Sequence, residues 1–189
     1  MRENNFEQAM AAILAAMEQK GRVLVAIDGP CTAGKTTLGD ALHKSLGGNL
    51  FHADDFFLRP EQRISARYAE VGGNIDYERM RDELLVPLRA GKPFSYRPFL
   101  CGEMRLGESV DIEPAWLNVI EGSYSMHRFF GDVYDLKIFL DIEPALQHAR
   151  VLARPAQLHR RFFEEWIPME NRYFNDWQIA QGCDLVLKQ

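Results

Sequence analysis

The chain has 189 residues and a formal net charge of −5, long enough for one compact domain with a full core and without the basic surplus that nucleic-acid binding needs. Hydrophobic residues make up 47% and charged residues 26%, the balance of a soluble globular protein. Its three cysteines, Cys31, Cys101 and Cys183, are widely spaced with no C-x-x-C, which argues against a disulfide framework or a zinc site and suits a reducing cytoplasm.

Ala9 to Met17 is apolar and about as long as a signal-peptide core, but Glu3 and Glu7 stand where basic residues belong. Phe6, Met10, Ile13, Leu14 and Met17 fall at helical spacing, so the periodicity predicts an amphipathic helix from Asn5 to Gln19. No run reaches the ~18 apolar residues of a membrane span, so no membrane association is expected. Arg22 to Ile27 reads as a buried strand. A helix follows from Lys35 to Leu46, stopped by Gly47-Gly48, and Asn49 to His52 reads as a second strand. Pro60 to Tyr68 predicts a short helix or loop. Asp76 suits the N-cap of a helix reaching Ala90, with Tyr77, Met80, Leu84, Leu85 and Leu88 turned inward. Trp116 to Ile120 and Asp135 to Leu140 are two further strands. Pro144 fits the first turn of a helix ending near Ala153, and Phe162, Phe163, Trp166, Tyr173, Phe174 and Trp177 are spaced as helix faces. Asp184 to Leu187 closes the series. Wholly apolar strands separated by helices predict an α/β, three-layer fold around a mainly parallel five-stranded sheet.

Gly29-Pro30-Cys31-Thr32-Ala33-Gly34-Lys35-Thr36 matches G-x-x-x-x-G-K-[ST] between a strand and a helix, which makes the expected fold that of a P-loop NTPase. In such a loop the backbone N–H groups, including that of Thr37 at the helix start, point at nucleotide phosphates. Lys35 supplies a cation to the β- and γ-phosphates, and the Thr36 hydroxyl suits Mg²⁺. ATP and Mg²⁺ are therefore the expected cofactors. A guanine-reading N-K-x-D and a D-x-x-G switch are both missing, so a GTPase switch is excluded.

A kinase needs a carboxylate for the acceptor hydroxyl and cations for the moving phosphoryl group. Asp54-Asp55 follows the second strand at the end of the sheet where ligands of doubly wound folds bind. Arg150, Arg154, Arg160 and Arg161 surround Pro155, where a helical lid over residues 150–161 would lie. Glu121 ends its strand at the Walker B position, suited to Mg²⁺ with Thr36 and Asp54. Arg59, Arg63 and Arg67 recur every four residues. On one helix they would form a basic stripe, facing an anionic acceptor or solvated and paired with Glu61 and Glu70. Arg97 and Arg105 lie in the same acceptor region, about residues 55–110, and Tyr68, Tyr77, Tyr96 and Phe99 are candidates for stacking on a base.

The P-loop, Asp54-Asp55-Phe56-Phe57, Val119-Ile120-Glu121-Gly122 and the arginine-rich segment together resemble the uridine kinase family of P-loop kinases. Nicotinamide riboside kinases share a similar Asp-Asp-Phe-Phe segment, and phosphoribulokinases and bacterial pantothenate kinases are more distant relatives. The resemblance covers most of the chain from Val23 onward. It implies Asp54 as the base for a 5′-hydroxyl, Lys35 and Thr36 as phosphate and Mg²⁺ groups, and Arg150 and Arg154 as lid arginines. Its acceptor side would fall on Tyr68, Asp76, Arg97 and Glu121. The family's ribose aspartate corresponds to the stretch from Arg67 to Asp76, and its base-binding hairpin histidine has no counterpart between Phe94 and Phe99. The expected activity is transfer of the ATP γ-phosphate to a small-molecule hydroxyl, a uridine- or cytidine-like nucleoside or else a pantothenate or phosphorylated-sugar acceptor. A nucleotide-binding regulator is the distant alternative, and a homo-oligomer is allowed.

Overall fold

The computed structural model describes residues 3–189. Helix α1 (Glu3–Lys20) precedes β1 (Val23–Asp28), whose six residues are all buried. The phosphate loop leads into α2 (Lys35–Leu46), which is followed by β2 (Asn49–His52). The acceptor region contains a short helix, α3 (Ser65–Ala69), and a longer one, α4 (residues 77–90). Four short strands come next: β3 (Phe94–Tyr96), β4 (Phe99–Leu100), β5 (Arg105–Leu106) and β6 (Val110–Ile112). The core resumes with β7 (Leu117–Glu121), β8 (Leu136–Asp141), α5 (Pro144–Leu152), α6 (residues 156–176) and β9 (Leu185–Lys188).

The main sheet has five strands in the order β2-β7-β1-β8-β9, every pair parallel. Strand alternation divides the core in two. Val23, Val25 and Ile27 face Ala9, Ile13, Leu38 and Leu42 of α1 and α2. Leu24 and Ala26 face the other layer, with Phe51, Met80, Leu84 and Tyr173. Helices thus cover both faces, and each large side chain so buried stabilises the fold by about 1.5–3 kcal/mol.

The expected α/β sheet is present with its strands displaced by at most a residue or so. Three details differ. The acceptor region folds into two small antiparallel pairs, β3 with β6 and β4 with β5. Arg59, Arg63 and Arg67 do not share a helix, because a 3₁₀ turn at Pro60–Gln62 separates them before α3 begins. Finally, α4 and α6 each contain a π-helical turn, at Arg81–Leu85 and Phe162–Trp166. Each turn includes the residue four before a proline, Glu83 before Pro87 and Glu164 before Pro168. A proline lacks the N–H for that carbonyl and its ring pushes the carbonyl aside, so the backbone widens there.

Candidate active site

A cleft of about 950 Å³ opens at the carboxyl ends of β1, β2 and β7. The phosphate loop forms its floor. Gly29 has φ of 147°, and a Cβ there would collide with the Leu140 carbonyl oxygen; Gly34 has φ of 97°. Both positions thus require glycine for the loop's path.

Side chains from four elements fasten the loop. Buried Asp28 accepts from the Gly29 amide at 2.7 Å and, through its other oxygen, from the Met126 amide at 3.0 Å and the Tyr173 hydroxyl at 2.7 Å. Burial pushes the Asp28 carboxyl up to about 6 against the pull of those donors. Glu170 of α6 accepts from the Cys31 amide at 2.8 Å and from the Ser123 hydroxyl at 2.8 Å. Arg150 donates to the Thr32 carbonyl at 2.8 Å and Gln147 to the Cys31 carbonyl at 3.2 Å. Lys35 folds back onto the loop, donating to Gly29 and Pro30 carbonyls at 2.7 and 2.9 Å and to Ser123 Oγ at 3.2 Å. Burial, with Glu170 beside it, pushes the Cys31 thiol up to about 12, so it stays a neutral packing group.

Glu121, buried at the end of β7, accepts from Thr36 Oγ1 at 3.0 Å and from His52 Nδ1 at 2.6 Å. That hydrogen bond holds the His52 pKa above its ordinary value, favouring the imidazolium. Opposite the loop, buried Ala53 and Phe56 pin a 3₁₀ turn, which sends the residues between them outward. Asp54 lines the cleft, whereas the Asp55 carboxylate accepts from Tyr96 at 2.9 Å. The Asp54 carboxyl is exposed to the cleft and walled by protein. Desolvation raises it to about 6, with Glu121, Glu170 and Asp55 adding to the rise and Lys35 opposing it.

Pro30, Ala33 and Thr37 complete the loop and the helix start. Tyr68 and Arg154 also line the cleft, while Arg150 reaches only the loop. Asp76 and Arg97 lie elsewhere. Asp76 caps α4, accepting from the Arg79 amide at 3.1 Å, and Arg97 donates to the Gly107 carbonyl at 2.7 Å within the β4–β5 hairpin. Arg160 and Arg161 pair with Glu164 and Glu165 one turn along α6. Sequence reasoning missed four residues: Asp28, His52, Ser123 and Glu170. Ser123 follows Glu121-Gly122 closely enough to have been named, but Glu170 meets the loop only through the fold.

The donor chemistry fits Mg²⁺: the Thr36 hydroxyl and the Glu121 carboxylate, 3.0 Å apart, and the Asp54 carboxylate across the same cleft are hard oxygen donors. Among the described residues no three His, Cys, Asp or Glu form a closed metal cage. An open donor set of this kind suits an ion shared with substrate phosphates.

A possible uridine kinase from Bacillus stearothermophilus superposes with a TM-score of 0.75 at 18% identity, covering 97% of each chain. The chain has the fold of uridine kinase-like P-loop kinases. A candidate fructose transport system kinase from Silicibacter sp. TM1040 gives a TM-score of 0.66 at 21% identity, over 96% of this chain and 98% of the other. Shikimate kinase from Acinetobacter baumannii in complex with shikimate gives 0.50 at 15% identity, over 92% and 87%. No protein-family model matches the sequence, and no curated protein sequence does. At these identities the likeness is one of fold, so the kinase fold is common to all three while the acceptor is a separate question. No helix among the described residues is long and apolar enough to cross a membrane.

Proposed function

We propose that this chain is an ATP-dependent kinase that transfers the γ-phosphate to a hydroxyl of a small metabolite of nucleoside size. One observation carries the reading: Lys35, Thr36 and Glu121 on the phosphate-loop side share a cleft with Asp54 on the opposite wall. In the proposed mechanism the loop amides bind the phosphates and Lys35 turns from the loop carbonyls to the terminal phosphate. Bound Mg²⁺, held by Thr36 and Glu121 with Asp54 nearby, would neutralise charge on the phosphates. Asp54 orients the acceptor hydroxyl and takes its proton, and a base with pKa about 6 is ionised at neutral pH. Arg154 enters the cleft from the lid segment, residues 150–161, while Arg150 steadies the loop; residues 55–110 supply the acceptor wall.

A coupled ADP-release assay over nucleosides, free sugars, sugar phosphates and hydroxy acids tests the proposal. An acceptor that raises ATP consumption well above the basal rate, in an Asp54-dependent way, supports the kinase. Basal consumption with every acceptor would favour a nucleotide-binding regulator instead.

A further inference from the structure

The arginines of the acceptor wall are almost all committed to other partners. Arg59 bonds to Gln62 and lies 3.4 Å from Glu61 and 3.6 Å from Asp76. Arg67 holds Glu78 with both terminal nitrogens, at 2.8 and 2.6 Å, over the Tyr77 ring. Arg79 binds the Asp55 carbonyl and sits 3.4 Å from Glu83. Arg97 is spent on the Gly107 and Leu106 carbonyls, and Arg105 pairs with Glu103. Arg63 differs. Its Nε donates to the Leu58 carbonyl at 2.9 Å, and its guanidinium lies 5.6 Å from the Phe99 ring centroid. Neither terminal nitrogen has a protein acceptor and no carboxylate forms an ion pair with it, among the described residues.

Arg63 lines the same cleft as Asp54, together with Phe57, Tyr68 and Asn74. Its side chain is half-buried, and two protein contacts hold the plane of its fork. With Nε engaged, the Nη1–Nη2 edge of this fixed guanidinium stays open, and that edge is a geometry that carboxylates and phosphates accept in bidentate fashion. The neighbouring acids set the orientation. Asp54 repels an anion at its own end, so a charged acceptor enters with its hydroxyl toward Asp54 and its negative group toward Arg63.

We propose that Arg63 is a specificity residue binding a carboxylate or phosphate on the acceptor, so that the substrate is an anionic hydroxy compound and not a neutral nucleoside. The proposal rests on the kinase reading for its reaction, but the binding site can be measured without turnover.

The test combines both measurements on wild type, Arg63→Ala and Arg63→Lys, with thermal melts to establish that the variants fold. Titration calorimetry in the presence of Mg·ADP uses three panels: sugar phosphates, hydroxy carboxylates and neutral nucleosides. The phosphate and carboxylate panels decide which anion is read. The expected result is binding by one anionic panel, weakened about 30-fold or more in Arg63→Ala, with ATP affinity unchanged. Arg63→Lys should restore part of that loss, since it keeps the charge without the fork. The ADP-release assay should follow with the loss in KM or kcat/KM for the acceptor alone. Neutral nucleosides binding best, with Arg63→Ala indifferent, would overturn the inference and leave the kinase intact. Absence of Arg63-dependent binding in any panel also overturns it. Arg63-dependent anion binding without turnover of any compound removes the kinase reading and leaves the site standing.

Discussion

Replacing Tyr173 by phenylalanine removes one hydroxyl and keeps the ring, which packs against Tyr124, Phe174 and Trp177. The lost hydroxyl donates to buried Asp28 at 2.7 Å. To an ionised carboxylate such a bond contributes about 1.5–3 kcal/mol, and to a neutral one about 0.5–1.5 kcal/mol. The folded-state pKa of Asp28, about 6, lies above its ordinary 3.8. The folded protein therefore holds that proton more tightly than the unfolded chain. The contribution of Asp28 to stability is therefore fully present below pH 4, falls as pH climbs through 6, and levels off above. Losing Tyr173 takes away a donor that favours the anion, so Asp28 titrates still higher and the falling limb lengthens. Urea unfolding of wild type and Tyr173→Phe at pH 5 and pH 8 should give a loss near 1 kcal/mol at the lower pH and about 2 kcal/mol or more at the higher. In a domain of this size the latter lowers Tm by roughly 4–8 °C. Equal losses at the two pH values would refute the assignment of a titrating carboxylate at Asp28.

Asp54→Asn should lower kcat by about 10²- to 10⁴-fold and leave ATP affinity within a few-fold by calorimetry. Equal turnover would remove Asp54 from the chemistry. Glu170→Gln weakens the acceptor that now occupies the Cys31 amide. Exchanging a charged for a neutral hydrogen bond at that amide is worth about 1 kcal/mol, so ATP should bind about five-fold tighter. Weaker ATP binding would instead make Glu170 a support of the loaded loop. Gly29→Ala drives a Cβ into the Leu140 carbonyl, and strain of about 1–3 kcal/mol should lower the melting temperature and weaken ATP binding at least several-fold. Unchanged melting and ATP affinity would show that the loop can shift to relieve the clash.

The sheet was legible because its central strands are largely apolar, as strands covered on both faces tend to be. Val23 to Ile27 and Leu136 to Leu140 could hardly be anything else. The loop was legible because phosphate binding constrains both residue type and spacing. The acceptor wall was harder. Its strands are two or three residues long, too short for alternation to register. The four-residue spacing of Arg59, Arg63 and Arg67 suggested a helix, yet Pro60 opens a 3₁₀ turn instead. Arg59 pairs with Glu61 and Arg67 with Glu70, as one of the two readings of the spacing had it, but the main partner of Arg67 is Glu78 and Arg63 pairs with neither glutamate. Asp76 caps α4 through one carboxylate oxygen, as its place before Tyr77 suggested. Glu170 and Asp28 gain their contacts across the molecule, from partners 139 and 145 residues away, beyond the reach of any local pattern.

The fastening of the phosphate loop also bears on the entropy of ligand capture. Fixing the backbone of one residue costs about 1–2 kcal/mol, so ordering the eight residues from Gly29 to Thr36 costs on the order of 10 kcal/mol. Asp28, Gln147, Arg150 and Glu170 hold that loop in place through hydrogen bonds of the protein itself. The ordering is thus completed when the chain folds, and an arriving phosphate has only to exchange partners at amides and at Lys35. On the kinase reading proposed above, capture then exchanges hydrogen bonds at a loop whose backbone the fold itself holds.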